Sequence, residues 1–131
     1  MFYTGIDQHR ASSVLTTLTA DGDRLRQVTL PNDRGVLTAY FAQFPAPHRA
    51  VVEATGRWYW LRDLLVPQGI DLHLAPAKFL KAIAYAKVKT DAIDSDTLAQ
   101  LLRTGLIPEA HMIGEAQRGP RDVLRARLPG A

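Results

Sequence analysis

The chain has 131 residues, 47% hydrophobic and 22% charged, which is the size and balance of one soluble globular domain with a real core. It contains no cysteine, which excludes a disulfide framework and a thiolate metal site and fits a reducing compartment. The formal charge is +3 and the sequence pI about 9.5, a balance compatible with nucleic acid but shared by many proteins without that partner.

Met1 to Asp7 lacks a basic region followed by an apolar stretch, so no signal peptide is read there. No apolar run is long enough to span a bilayer. Phe2 to Asp7 reads as a short apolar strand. Ser12 to Thr19 carries Val14, Thr16, Thr17 and Thr19, β-branched residues that suit a pleated surface. Asp21-Gly22 is a hairpin signal, and Arg24 to Leu30 alternates through Leu25, Val28 and Leu30. An antiparallel three-strand meander is therefore expected.

Asn32 or Asp33 can cap a first helix, with Val36, Leu37, Tyr40, Phe41 and Phe44 at helical spacing and Pro45 as its stop. His48 to Thr55 contains the buried-strand run Ala50-Val51-Val52, broken by Gly56. A helix with Trp58, Trp60, Leu61, Leu64 and Leu65 follows and ends near Pro67-Gln68-Gly69. Ile70 to Leu74 reads as a strand, and Pro76 opens a helix through Phe79, Leu80 and Ile83. Thr90 or Asp91 is expected to begin a last helix through Leu98, Leu101 and Leu102, closed by Gly105 and Pro108. The order β-β-β-α-β-α-β-α-α predicts an α/β fold: a mixed sheet with helices on both faces. His111 to Ala131 differs in composition and reads as the start of an amphipathic helix that the chain does not finish.

Three acidic segments carry the chemistry: Gly5-Ile6-Asp7, Val51-Val52-Glu53-Ala54-Thr55-Gly56 and Lys89-Thr90-Asp91-Ala92-Ile93-Asp94. Converging carboxylates are costly unless a cation neutralises them, as in a two-metal phosphoryl-transfer site. Asp7 alone could simply start a turn. Glu53 after an apolar strand is less ordinary, because buried Glu is rare unless paired; Arg49 and Arg57 are available to pair with it. On a helix begun at Asp91, both Asp91 and Asp94 share an arc of about 100° with the leucines. A cap role and a ligand role explain Asp91 equally well. A cap does not explain Asp94 on the buried face, so function is favoured there, while Asp96 falls opposite as a solvated charge. Oxygen-only ligation suits Mg²⁺ or Mn²⁺.

The histidines show no metal-ligand spacing, and His9, two residues past Asp7, reads more readily as an exposed turn residue. There is no phosphate loop, dinucleotide fingerprint or nucleophile elbow. Trp58, Tyr59 and Trp60 are more often core and interface residues than base-stacking ones, although one sheet cannot bury all sides of their helix. Lys78, Lys81, Lys87 and Lys89 precede the acidic pair and could hold a phosphate backbone, or form a solvated basic face.

Taken together, Gly-Ile-Asp, Val-Glu-Ala-Thr-Gly and Lys-Thr-Asp-x-x-Asp-x-x-x-Leu-Ala-x-Leu-Leu resemble the N-terminal domain of DEDD transposases of the insertion-sequence one-ten family, the bridge-RNA-guided recombinases. The resemblance covers roughly residues 3 to 110, and its third segment is the most specific. It implies a RuvC-like, ribonuclease-H-like catalytic domain over residues 1–110, with 111–131 as the start of a linker helix or a truncated tail. It implies a tetrad of Asp7, Glu53, Asp91 and Asp94 holding divalent metal for DNA transposition and recombination. It implies DNA, a structured guide RNA and further protomers (a dimer or tetramer of the full-length protein) as partners, in the cytoplasm of a bacterium or archaeon. Recombination in the family also needs a C-terminal domain with a catalytic serine, so this chain is expected not to complete it alone.

Two alternatives stand beside that expectation: a non-catalytic module that grips RNA or DNA, and a generic RuvC-like structure-specific nuclease. A sugar-kinase or actin-like ATPase shares the opening meander, but Gln8-His9-Arg10 occupies the turn where it needs a phosphate-cradling Gly and Ser or Thr.

Overall fold

The computed structural model describes residues 1–45, 47–88 and 93–108, with only the backbone course for 85–88. Five strands, β1 (Phe2–Gln8), β2 (Ser12–Leu18), β3 (Arg24–Pro31), β4 (His48–Glu53) and β5 (Asp71–Ala75), form one sheet in the order β3-β2-β1-β4-β5. β1, β2 and β3 pair antiparallel, and β1, β4 and β5 pair parallel. The helices are α1 (Arg34–Ala42), α2 (Trp58–Leu65), α3 (Ala77–Val88) and α4 (Ser95–Arg103). This is the expected meander followed by alternating elements, a ribonuclease-H-like sheet. Among the described residues the addition is a 3₁₀ turn, Val66–Gln68, where Pro67 tightens the end of α2 and Gly69 closes it at φ 86°.

The sheet buries both faces. On one, Ile6, Leu15, Ala50, Val52, Leu72 and Leu74 pack against Leu37, Tyr40 and Phe41 of α1 and Leu61, Leu64 and Leu65 of α2. On the other, Val51 and Ala75 meet Leu80 and Ala84 of α3 and Leu98 and Leu102 of α4. The period-2 alternation of strand side chains makes this division: Ile6 and Val52 face α1 and α2, so Gly5, Asp7, Val51 and Glu53 face α4.

Local signals hold where expected. Asp33 caps α1 by accepting from Val36 N at 3.0 Å. Gly22 supplies φ 94° at the β2–β3 hairpin.

A buried polar chain ties α1 to the sheet. Tyr40 Oη lies 2.5 Å from Thr17 Oγ1, which lies 2.6 Å from Thr4 Oγ1, which lies 2.7 Å from His48 Nε2. His48 Nδ1 is 3.2 Å from the Phe44 carbonyl. A carbonyl only accepts, so Nδ1 carries the proton and Nε2 of the neutral ring accepts from Thr4. The direction of the other hydroxyls then follows: Tyr40 donates to Thr17, and Thr17 to Thr4. Burial holds the His48 imidazole below its ordinary range and pushes the Tyr40 phenol up, so both stay neutral.

α4 lies almost on the backbone of β1. A Cβ at Gly5 would meet the Ser95 carbonyl oxygen at 2.1 Å, Ala99 N at 2.6 Å and Leu98 Cβ at 2.9 Å. Only glycine permits that approach. The fully buried Ser95 hydroxyl also bonds Thr16 Oγ1 at 2.7 Å, and Gln27 Nε2 donates to the same Thr16 oxygen at 2.9 Å.

Among the described residues no helix is long and apolar enough to cross a membrane. Asp91, Lys89, the side chain of Lys87 and the expected helix start over 111–131 lie outside the described residues.

Candidate functional site

Asp7 and Glu53 stand at the carboxyl ends of adjacent parallel strands. Gly5 is in register with Val51 and Ile6 with Val52, so Asp7 and Glu53 each follow one residue on. Strand spacing puts their backbones about 5 Å apart, with both side chains on the α4 face. They line one small cleft with Ile6, Gln8, Val52, Thr55, Ile93 and Leu98. The central residues of both strands, Gly5, Ile6, Ala50, Val51 and Val52, are buried, and the carboxylates follow where burial becomes partial.

The surroundings of the two acids differ from the simplest sequence expectation. Arg49 does not neutralise Glu53; its Nε lies 3.2 Å from Asp71 Oδ2, which His73 Nε2 also approaches at 3.0 Å. Arg57 is exposed and meets the site through its backbone, whose carbonyl accepts from Gln8 Nε2 at 3.3 Å. Among the described residues Glu53 makes no ion pair. His9 is exposed, as expected of a turn residue, yet its Nε2 lies 3.1 Å from Asp7 Oδ2. That ring can donate to Asp7 and fix the orientation of its carboxylate.

The third acidic segment departs from expectation. Asp94 is not inside a helix begun at Asp91. It is the N-cap of α4, in extended backbone (φ −83°, ψ 175°), and its Oδ1 accepts from Thr97 N at 2.9 Å. Asp94 is exposed, so its placement among the leucines on a helical wheel is corrected. Asp94 thus takes the cap role at the start of α4, where an Asp in extended conformation satisfies an amide of the first turn. The preceding residue, Ile93, lines the cleft, which puts the cap at its border. Asp96 is a surface charge as expected, 3.7 Å from Arg24. Lys78 and Lys81 are exposed on α3.

Sequence reasoning left Gly5, Thr16 and Ser95 without a role. They set how closely α4 approaches the carboxylate strands. An isolated glycine in a strand pattern is the signal that could have found the first of them.

Chemically, Asp7 and Glu53 are a pair of hard oxygen donors on rigid strands, open to solvent on one side. Such a donor set fits a cation that takes oxygen ligands and keeps waters. Among the described residues no three His, Cys, Asp or Glu side chains gather closely enough to enclose a metal. The described part of the site is therefore a two-carboxylate platform with Asp94 at its border.

Beside the cleft, Trp58 and Trp60 are half-buried against the core, as expected, but Tyr59 is 56% exposed. The Trp58 and Tyr59 rings stack at 3.9 Å between centroids and 25° between planes.

The profile of a transposase family, the DEDD transposases of IS110, matches residues 4–127. No curated protein matches the chain.

Proposed function

This chain belongs to the DEDD transposase family of IS110, and from that premise we propose that it is the metal-dependent catalytic domain of a DNA transposase, acting by phosphoryl transfer. A transposase-type role in DNA transposition comes with the family; the metal, the residues and the further partners are our reading. The observation that carries it is the pair Asp7 and Glu53, side by side at the carboxyl ends of β1 and β4 in one open cleft.

In this reading Asp7, Glu53, Asp91 and Asp94 hold Mg²⁺ or Mn²⁺. A divalent ion bound there would polarise a phosphoryl oxygen and lower the pKa of a bound water or hydroxyl. The chain's own residues position and exclude. The rigid strands fix the spacing of two ligands, and His9 orients Asp7. Ile93 and Leu98 wall the cleft on its α4 side, which limits water on that flank. Lys78, Lys81, Lys87 and Lys89 hold the phosphate backbone beside the site. In this reading residues 1–110 are the catalytic domain and 111–131 the start of a linker helix or a tail; full recombination would call on a serine-bearing domain, a guide RNA and further protomers, in the cytoplasm.

The test is calorimetric titration of Mn²⁺ and Mg²⁺ into the parent chain and Asp7→Asn, with circular dichroism to check the fold. Binding by the parent chain that is lost in a folded variant is expected. Equal binding by both would place the metal elsewhere. Nucleic-acid binding that needs neither metal nor Asp7, with no metal bound by the parent chain, would favour a non-catalytic module.

A further inference from the structure

The aromatic pair on α2 has no role in the core that explains its geometry. Neighbouring residues of a helix point about 100° apart and do not face each other. Yet Tyr59 is folded back on the Trp58 ring at 3.9 Å. Trp58 rests half-buried on the core, while Tyr59 stays 56% exposed. The guanidinium of Arg62 lies 5.3 Å from the Tyr59 ring centre and 5.7 Å from that of Trp58, which braces the stack by cation–π attraction. The result is a flat, ordered aromatic surface, backed by the core and open to solvent.

Its position gives it an occupant. Trp58 follows Thr55 of the cleft wall by three residues, so its Cα lies within about 11 Å of that of Thr55. Gln8, the neighbour of Asp7, ties the Arg57 carbonyl to β1. Arg10 and Arg57 are exposed at the same end of the sheet. Cations beside an acidic cleft complement a phosphate chain rather than the carboxylates, since none of them pairs with Asp7 or Glu53. A charged chain that carries flat π faces between its phosphates is a single-stranded nucleic acid, and a duplex hides those faces.

We propose that Tyr59, stacked on Trp58 and flanked by Arg57 and Arg62, is a platform for an unpaired base of the DNA strand whose phosphate enters the Asp7–Glu53 cleft. The choice of DNA rests on the phosphoryl-transfer reading of that cleft.

The experiment measures binding of a fluorescent single-stranded DNA oligonucleotide to the full chain in EDTA, so that no metal contributes. Base stacking on one aromatic side chain predicts that Tyr59→Ala weakens binding by roughly five- to a hundredfold. Tyr59→Phe keeps the ring and should bind within about twofold of the parent chain by the same argument. An abasic oligonucleotide should bind the parent chain as weakly as the normal one binds Tyr59→Ala. The proposal is overturned if Tyr59→Ala binds normally, if the abasic strand binds as well as the normal one, or if the parent chain binds neither. Tighter Tyr59-dependent binding of an RNA of the same sequence would overturn it too, and assign the platform to RNA. Asp7→Asn separates this from the cleft reading. Metal binding unchanged in that variant, with the Tyr59 dependence intact, would refute the metal site and leave a base platform.

Discussion

Gly5→Ala is the sharpest test of how the cleft is built. The added methyl carbon would lie 2.1 Å from the Ser95 carbonyl oxygen and 2.6 Å from Ala99 N, both backbone atoms with no rotamer to move. Restoring a contact of about 3.5 Å requires α4 to retreat by more than about 1 Å. Overpacking of this kind costs about 1–3 kcal/mol. Parting the buried Thr16 and Ser95 hydroxyls, 2.7 Å apart, adds about 1–3 kcal/mol for groups left without a partner. The lower chain entropy of alanine returns about 0.5–1 kcal/mol. The net loss is roughly 1–5 kcal/mol, a fall in Tm of roughly 5–20 °C for a domain of this size. Thermal melts followed by circular dichroism measure it, with Gly35→Ala as the control. That glycine has only an ordinary 3.4 Å neighbour and no positive φ, so alanine there should be neutral or slightly stabilising. A Gly5→Ala chain that melts within about 2 °C of the parent would refute the close-approach argument, since that shift corresponds to well under 1 kcal/mol.

Two further substitutions address the cap and the buried polar chain. Asp94→Ala should cost about 1 kcal/mol by removing the cap on Thr97 N, whereas Asp94→Asn should cost only a few tenths, because an amide oxygen caps as well; urea unfolding of both variants checks this, and equal losses would refute the cap assignment. His48 lies below its ordinary value of 6.5 when folded because burial disfavours the imidazolium. The unfolded chain therefore takes up the proton first: the contribution is complete above about pH 6.5 and is lost as pH falls through the folded value. Urea unfolding from about pH 7.5 down to about pH 5 should show the decline in the parent chain and a flatter profile in His48→Gln; parallel profiles would exclude His48 as its source.

The sheet was legible because its signals are local. The β-branched run of β2, Asp21-Gly22 and the capping Asp33 each specify a short stretch of backbone, and together they predict the meander and α1. Glu53 could be picked out because a Glu after a buried strand is unusual, and Asp7, an ordinary turn residue alone, only together with the other acidic segments. The start of α4 was not legible in the same way. Asp91 and Asp94 are both competent caps, and the choice between them depends on Ser95 docking against Gly5 and Thr16, partners far away in the chain. Likewise Arg49 was available to Glu53 by proximity in sequence, but β5 brings Asp71 beside it. Pairings set by strand register cannot be read from one strand alone.

The contact between Gly5 and Ser95 also ties completion of the cleft to the docking of α4. Asp7 and Glu53 are brought together when β4 joins β1, but the wall formed by Ile93 and Leu98 arrives only when a segment some 90 residues after Gly5 docks. Without α4 in place the acidic pair would lie on a sheet face covered by α3 alone, so enclosure of the cleft depends on the docking of α4.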